Sequence, residues 1–211
     1  LELDKRAEEF IRDHGAKPGF LGYGGFPNSI CTSVNDAVVH GIPSDYELKE
    51  GDIISIDCGT IKNGFYGDSA YTFAVGAISE EVGNLLKATR ESLFKGIEMA
   101  KAGNRVGDIS HAVQIHAEGA GFSVVREMVG HGLGSNMHES PEVPNYGKRG
   151  RGTQLKEGLV ICIEPMINLG SRSIKQDRDG WTIRTMDGKP SAHYELAVAI
   201  RNGEADILST F

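Results

Sequence analysis

The chain has 211 residues, a formal net charge of −7, 39% hydrophobic residues and 24% charged residues. That balance excludes a protein held to nucleic acid by bulk charge, and no apolar run approaches the roughly 20 residues of a membrane helix. It is the composition of a globular domain long enough to bury a core.

In chain order, helical spacing predicts a first helix over residues 3–14, stopped by Gly15 and Pro18. An aromatic loop follows, with Phe20, Tyr23 and Phe26 ahead of Cys31. His40 lies in the turn Val39-His40-Gly41-Ile42-Pro43. An isoleucine-rich strand is expected over 52–61, a two-residue turn at Asn63-Gly64, and a return strand over 65–75. With that turn, Lys62 faces Phe65 and Asp57 faces Ala70, so Asp57 and Asp68 are diagonal neighbours on one face. Helices are expected over 79–102, with Ser79 as cap and Gly103 as stop, and over 106–118. His131 sits in the glycine-rich run Gly130-His131-Gly132-Leu133-Gly134, and Met137-His138 follows. Strands over 159–164, 181–186 and 192–200 complete the chain, with an Asp187-Gly188 turn between the last two. Glu195 stands among apolar residues of the last strand.

An internal repeat organises these elements. Leu48-Lys49-Glu50-Gly51 opens a strand that ends in Asp57, and Leu155-Lys156-Glu157-Gly158 opens one that ends in Glu164. The offset is 107 residues (164 minus 57). This implies one domain, 1–211, of two related halves, about 1–78 and 79–211, each delivering a carboxylate from a central strand. Two helices precede the second copy and one precedes the first. With a first residue of Leu1 rather than Met, the expectation is a fragment, a processed form or a trimmed chain.

Asp57, Asp68, Glu164 and Glu195 all stand in apolar or small-residue strand contexts, where unpaired carboxylates are costly. Divalent metal is the natural counter-charge, and His131, exposed between glycines, is the natural nitrogen ligand beside them. The alternative is four unrelated structural acids in salt bridges. His111 and His116 read as structural helix residues, and His14 and His193 carry no signal. Cys31, Cys58 and Cys162 are sparse and unclustered, which points to a reducing, cytoplasmic compartment.

These motifs in this order, with Ile163-Glu164-Pro165-Met166 and Ala192-His193-Tyr194-Glu195, resemble the methionine aminopeptidases of type I. The resemblance runs from Gly22 onward. It implies an α+β pita-bread (creatinase/aminopeptidase) fold, with two pseudo-symmetric halves and a central mixed or antiparallel sheet covered by helices. It implies two divalent metal ions (Co, Mn, Fe or Zn) on Asp57, Asp68, His131, Glu164 and Glu195. Glu164, His138 and His40 take catalytic roles, and the two histidines also touch substrate. Phe20, Tyr23, Phe26, Cys31 and Trp181 match the family's methionine pocket, with Met137 where an aromatic residue is common. Leu196 stands where many relatives carry histidine. The implied partner is a peptide or nascent-chain N-terminus, with transient ribosome contact. The expected protein is a monomer that uses neither nucleic acid nor membrane. The rivals are a proline-directed peptidase of the same fold, a metal-free binding protein and an inactive fragment.

Overall fold

A computed structural model describes residues 1–210. Eight antiparallel strands form the central sheet, numbered here in chain order. They are β1 (Cys31–Val34), β2 (Ile53–Asp57), β3 (Ser69–Ala74), β4 (Gly130–Gly132), β5 (Glu139–Val143), β6 (Val160–Ile163), β7 (Glu195–Ala199) and β8 (Asp206–Ile207). Their order across the sheet is β5-β4-β6-β7-β3-β2-β1, with β8 also paired to β7. The helices are α1 (Glu2–Asp13), α2 (Glu80–Met99) and α3 (Val106–Gly119). None is long and apolar enough to cross a membrane.

Period-two alternation assigns each strand's faces. Ile161, Ile163, Leu196 and Val198 join Leu85, Leu93, Ile97, Ile109 and Val113 in one core between the sheet and α2 and α3. Each such side chain, fully buried, contributes roughly 1.5–3 kcal/mol. The intervening residues Cys162, Glu164, Glu195 and Ala197 therefore turn to the other face. An acid inside an apolar strand is thus an acid on the face away from the helices.

The repeated Lys-Glu-Gly turn has the same hydrogen bonds twice. Asp52 N–H donates to Lys49 O at 3.0 Å and Leu159 N–H to Lys156 O at 3.1 Å. Gly51 N–H donates to Val75 O at 2.8 Å and Gly158 N–H to Ile200 O at 2.9 Å. Gly51 and Gly158 both adopt left-handed backbone, at φ 94 and 84. Each turn thus launches a strand that pairs with its neighbour, β2 with β3 and β6 with β7.

The expected hairpin register is observed, with Lys62 opposite Phe65 and Asp57 opposite Ala70. Its two strands are each broken, however. Thr60–Lys62 and Phe65–Gly67 leave the central sheet as a hairpin, and Thr60–Lys62 pairs on its other side with Lys17–Pro18. The bend at Cys58 and Asp68 turns the Asp68 carboxylate back toward Asp57. The expected last strand also breaks, at Tyr194. Ser191–His193 pairs with Met166–Asn168, while β7 pairs with β6. Thr72 stabilises the break: its hydroxyl donates to His193 O at 2.7 Å and accepts from His193 N–H at 2.9 Å.

The helices form where expected, with one early stop. Ser79 caps α2 by accepting from Val82 N–H at 3.3 Å. The helix ends at Met99, short of Gly103, because Ala102 N–H donates to Arg201 O at 2.8 Å and Gly103 N–H to Leu155 O at 3.0 Å. Asn104 Nδ2 then satisfies the Met99 carbonyl at 2.8 Å. The strand expected over 181–186 shortens to Ile183–Thr185, because Asp179 accepts from the N–H groups of Trp181 and Thr182 and holds them in a turn.

Gly130 and Gly132 flank His131 where strands crowd. A Cβ on Gly130 would strike the Cys162 carbonyl oxygen, and one on Gly132 would strike the Ser140 carbonyl oxygen. Backbone cannot yield as a side-chain tip can. Gly130→Ala should therefore cost about 1–3 kcal/mol, read as a lowered midpoint in urea. An unchanged midpoint would show that β4 has room to move.

Candidate metal centre

One transverse row explains how distant residues meet. Cys31 lies opposite Asp57, Asp57 opposite Ala70, and Ala70 opposite Glu195. Side chains of directly paired residues share a face, so Cys31, Asp57 and Glu195 all point to the face away from the helices. Ala70 is small and leaves a gap between the two acids. Asp68, two residues earlier on the same chain, fills the gap. Glu164 follows the last residue of β6 and approaches from the Glu195 side.

These residues and His131 form the floor of a cavity of about 290 Å³. Asp68, His131 and Glu195 are buried, while Asp57 and Glu164 are partly open to the cavity. His131 Nε2 lies 3.5 Å from Glu164 Oε1 and 3.9 Å from Asp68 Oδ2. Nδ1 of the same ring is 2.9 Å from the Gly132 carbonyl, so it carries the proton and Nε2 presents a lone pair to the carboxylates. A larger hollow of about 930 Å³, beside Leu1–Leu3 and Gly41–Leu48, contains no histidine or cysteine.

The charges are unbalanced within the protein. Burial, with Asp68 next, pushes the Asp57 carboxyl well above its usual range. Asp68 is pushed up to about 7, chiefly by burial. Both Glu164 and Glu195 are raised, first by burial and then by neighbouring acids. Burial lowers His131 to about 4, so the imidazole is neutral. No lysine or arginine lines the cavity, and Asp57 Oδ1 and Glu195 Oε1 are buried with no hydrogen-bond partner among the described residues. Four hard carboxylates, two with orphaned oxygens, and one neutral imidazole are a donor set that fits divalent cations.

Most of the expected wall is present. Phe20, Tyr23, Phe26, Cys31, His40, His138 and Trp181 all line the cavity. Phe26 meets the Trp181 ring edge-on, at 5.2 Å and 80°. Asp4, buried on α1, supports this wall by accepting from Ser29 N–H at 2.8 Å, Ile30 N–H at 3.1 Å and Asn28 Nδ2 at 2.7 Å. His40 holds a left-handed backbone, φ 58, which is strained for a residue with a Cβ. Burial, then His138, lowers its pKa.

Met137 differs from the expectation. It does not line the cavity but packs behind it with Leu133, Cys162 and Ala197, against Phe20. It is 1% exposed, so it supports the wall from the core side.

Two residues, Cys162 just behind the floor and His193 lining it, were given no role from the sequence. Cys162 stands with Asp68, His131 and Glu195, all donor atoms lying within 4.8 Å of one another. His193 stands likewise with Glu164 and Glu195. Its Nε2 is 3.6 Å from Glu164 Oε2, beyond a hydrogen bond, and burial lowers its pKa to about 3. Cys162, two residues before Glu164, was within reach of period-two counting, whereas His193 lies across the strand break at Tyr194 and was not.

The pattern of metallopeptidase family M24 matches residues 1–202. The methionine aminopeptidase of Clostridium acetobutylicum is 55% identical over 209 residues, spanning 99% of this chain and 84% of that protein. Methionine aminopeptidase 1 of Bacillus subtilis is 53% identical over 208 residues, with 99% and 84% covered. The crystal structure of methionine aminopeptidase from Thermotoga maritima superposes with a TM-score of 0.98 at 43% identity, over 100% of this chain and 85% of that one. The fold is thus the α+β pita-bread fold. The chain belongs to metallopeptidase family M24 and, within it, to the methionine aminopeptidases.

Proposed function

We propose that this protein hydrolyses the first peptide bond of peptides and nascent chains and releases an N-terminal methionine. The observation that carries the reading is the floor of the cavity. Four carboxylates converge around His131, two of them with an oxygen lacking any partner among the described residues, beneath an aromatic and sulfur-bearing wall. The catalytic unit is residues 1–211. Its half up to about residue 78 brings Asp57 and Asp68, and the other half brings His131, Glu164 and Glu195.

Asp57, Asp68, His131, Glu164 and Glu195 are the residues that would hold two divalent ions, whose Lewis acidity acidifies a water and polarises the scissile carbonyl. Glu164 takes the proton from the attacking water and carries it to the leaving nitrogen. His138 donates an N–H to the scissile carbonyl oxygen and steadies the charge that develops there. His40 contacts the scissile amide. Phe20, Tyr23, Phe26, Cys31 and Trp181 hold the methionine side chain, whose polarizable thioether suits aromatic faces and a thiol. The three free cysteines are in keeping with work in the cytoplasm.

The test is release of free methionine from Met-Ala-Ser, with Mn²⁺ or Co²⁺ added and EDTA as control. Metal-dependent release is the expected result. Release from Ala-Pro peptides in preference would transfer the site to the proline-directed peptidases. No release from a folded, metal-loaded protein would remove the aminopeptidase reading.

A further inference from the structure

Tyr23 and His138 are 115 residues apart in sequence and in contact in the fold. The Tyr23 hydroxyl lies 2.7 Å from His138 Nδ1, and the two rings are 5.4 Å apart at 45°. On its other side the His138 ring packs against His131, at 4.4 Å and 62°. Tyr23 is delivered by a short turn, Tyr23–Gly25, whose flanking Gly22 adopts φ 82. Among the described residues no other polar group bonds to either partner's ring atoms. The contact therefore engages Nδ1 and leaves Nε2 as the ring nitrogen free for the cavity that His138 lines.

We propose that Tyr23 is a positioning residue that sets the tautomer of His138, its phenol O–H donating to Nδ1 so that the ring presents Nε2–H to the scissile carbonyl. This rests on the aminopeptidase reading, in which His138 must be a donor toward substrate. A neutral imidazole has one donor and one acceptor nitrogen, and the bond made by one nitrogen decides the other. A phenol is the stronger hydrogen-bond acid and an imidazole nitrogen the stronger base, so O–H···N is the favoured direction. With Nδ1 bound as acceptor, the ring proton resides on Nε2. Without the phenol, the ring is free to carry its proton on Nδ1, and that tautomer offers the carbonyl oxygen only a lone pair. Tyr23 thus does two separable things: its ring walls the pocket and its oxygen orients the electrophile.

The variant Tyr23→Phe keeps the ring and removes the oxygen. Its kcat on Met-Ala-Ser should fall about tenfold, the rate equivalent of one hydrogen bond, while KM, metal content and the preference for methionine over leucine stay near wild type. In a His138→Ala background the same substitution should change kcat less than about twofold, because the group it acts through is gone. Nitrogen-15 NMR of the zinc-loaded full chain reads the tautomer without catalysis: Nδ1 unprotonated in the wild type, and a mixture in Tyr23→Phe. An equal loss of kcat with and without His138, or a protonated Nδ1 in the wild type, would overturn the proposal. If the wild type releases no methionine, the aminopeptidase reading fails, and the NMR arm still decides the tautomer.

Discussion

Glu164→Gln should release methionine at least about a hundredfold more slowly than the wild type, in the range that loss of a positioned acid or base produces. The substitution is nearly isosteric, so the shape of the floor survives. What it removes is charge and proton affinity. Glu164 is placed to supply both: its carboxylate reaches within 3.5 Å of His131 Nε2 on one side and 3.6 Å of His193 Nε2 on the other. Asn145 Nδ2 donates to the Glu164 carbonyl at 3.0 Å, and Ile163 beside it is locked in the helix-facing core. The residue is held by its backbone, which leaves the carboxylate free for chemistry. Steady-state kcat and elemental analysis for metal should be measured together. A wild-type rate with full metal would exclude Glu164 as the proton carrier. Loss of rate in step with loss of metal would assign it to binding alone.

The metal-stripped protein should become less stable as pH rises above about 6.5, which is opposite to the usual behaviour of carboxylates in salt bridges. The sign follows from linkage. A carboxyl whose folded pKa is raised binds more protons folded than unfolded, so stability is lost as pH climbs between the two values. Asp68 moves from an ordinary 3.8 to about 7, and Asp57, Glu164 and Glu195 move in the same direction. His131 and His193, lowered by burial from 6.5 to about 4 and about 3, add stability as pH rises toward 6.5 and oppose the acids below it, so the loss is read above that pH. Once ionised in the folded state, the four acids repel within one buried floor. Divalent metal should reverse the trend, since it binds the deprotonated floor and adds RT ln(1 + [L]/Kd), about 4 kcal/mol at a thousandfold excess over Kd. For a domain of this size each kcal/mol moves Tm by about 2–4 °C. Thermal unfolding at pH 6.5 and pH 8, each with EDTA and with Mn²⁺, gives four curves. Tm with EDTA should be lower at pH 8, and Mn²⁺ should raise Tm more at pH 8 than at pH 6.5. A metal-free Tm that rises with pH would mean the acids are already compensated by other groups.

Features that depend on local spacing are legible in the sequence. Helical periodicity placed α1, α2 and α3, and the Asn63-Gly64 turn set the register that puts Asp57 opposite Ala70. The doubled Lys-Glu-Gly turn located Asp57 and Glu164 at equivalent strand ends, because φ-positive glycine and the following apolar run are local signals. Which strands bend depends on long-range packing instead. The breaks at Cys58 and Tyr194 depend on partners far along the chain: Lys17–Pro18 captures one segment, and Met166–Asn168, with Thr72, captures the other. Those bends are what bring Asp68 and His193 to the floor. Met137 shows the same limit from the other side, since adjacency to His138 could not reveal that it points behind Phe20 into a core. Hydrophobic burial is non-directional. It tells a strand which residues to hide, while the neighbours that hide them decide which of two buried sides faces the metal.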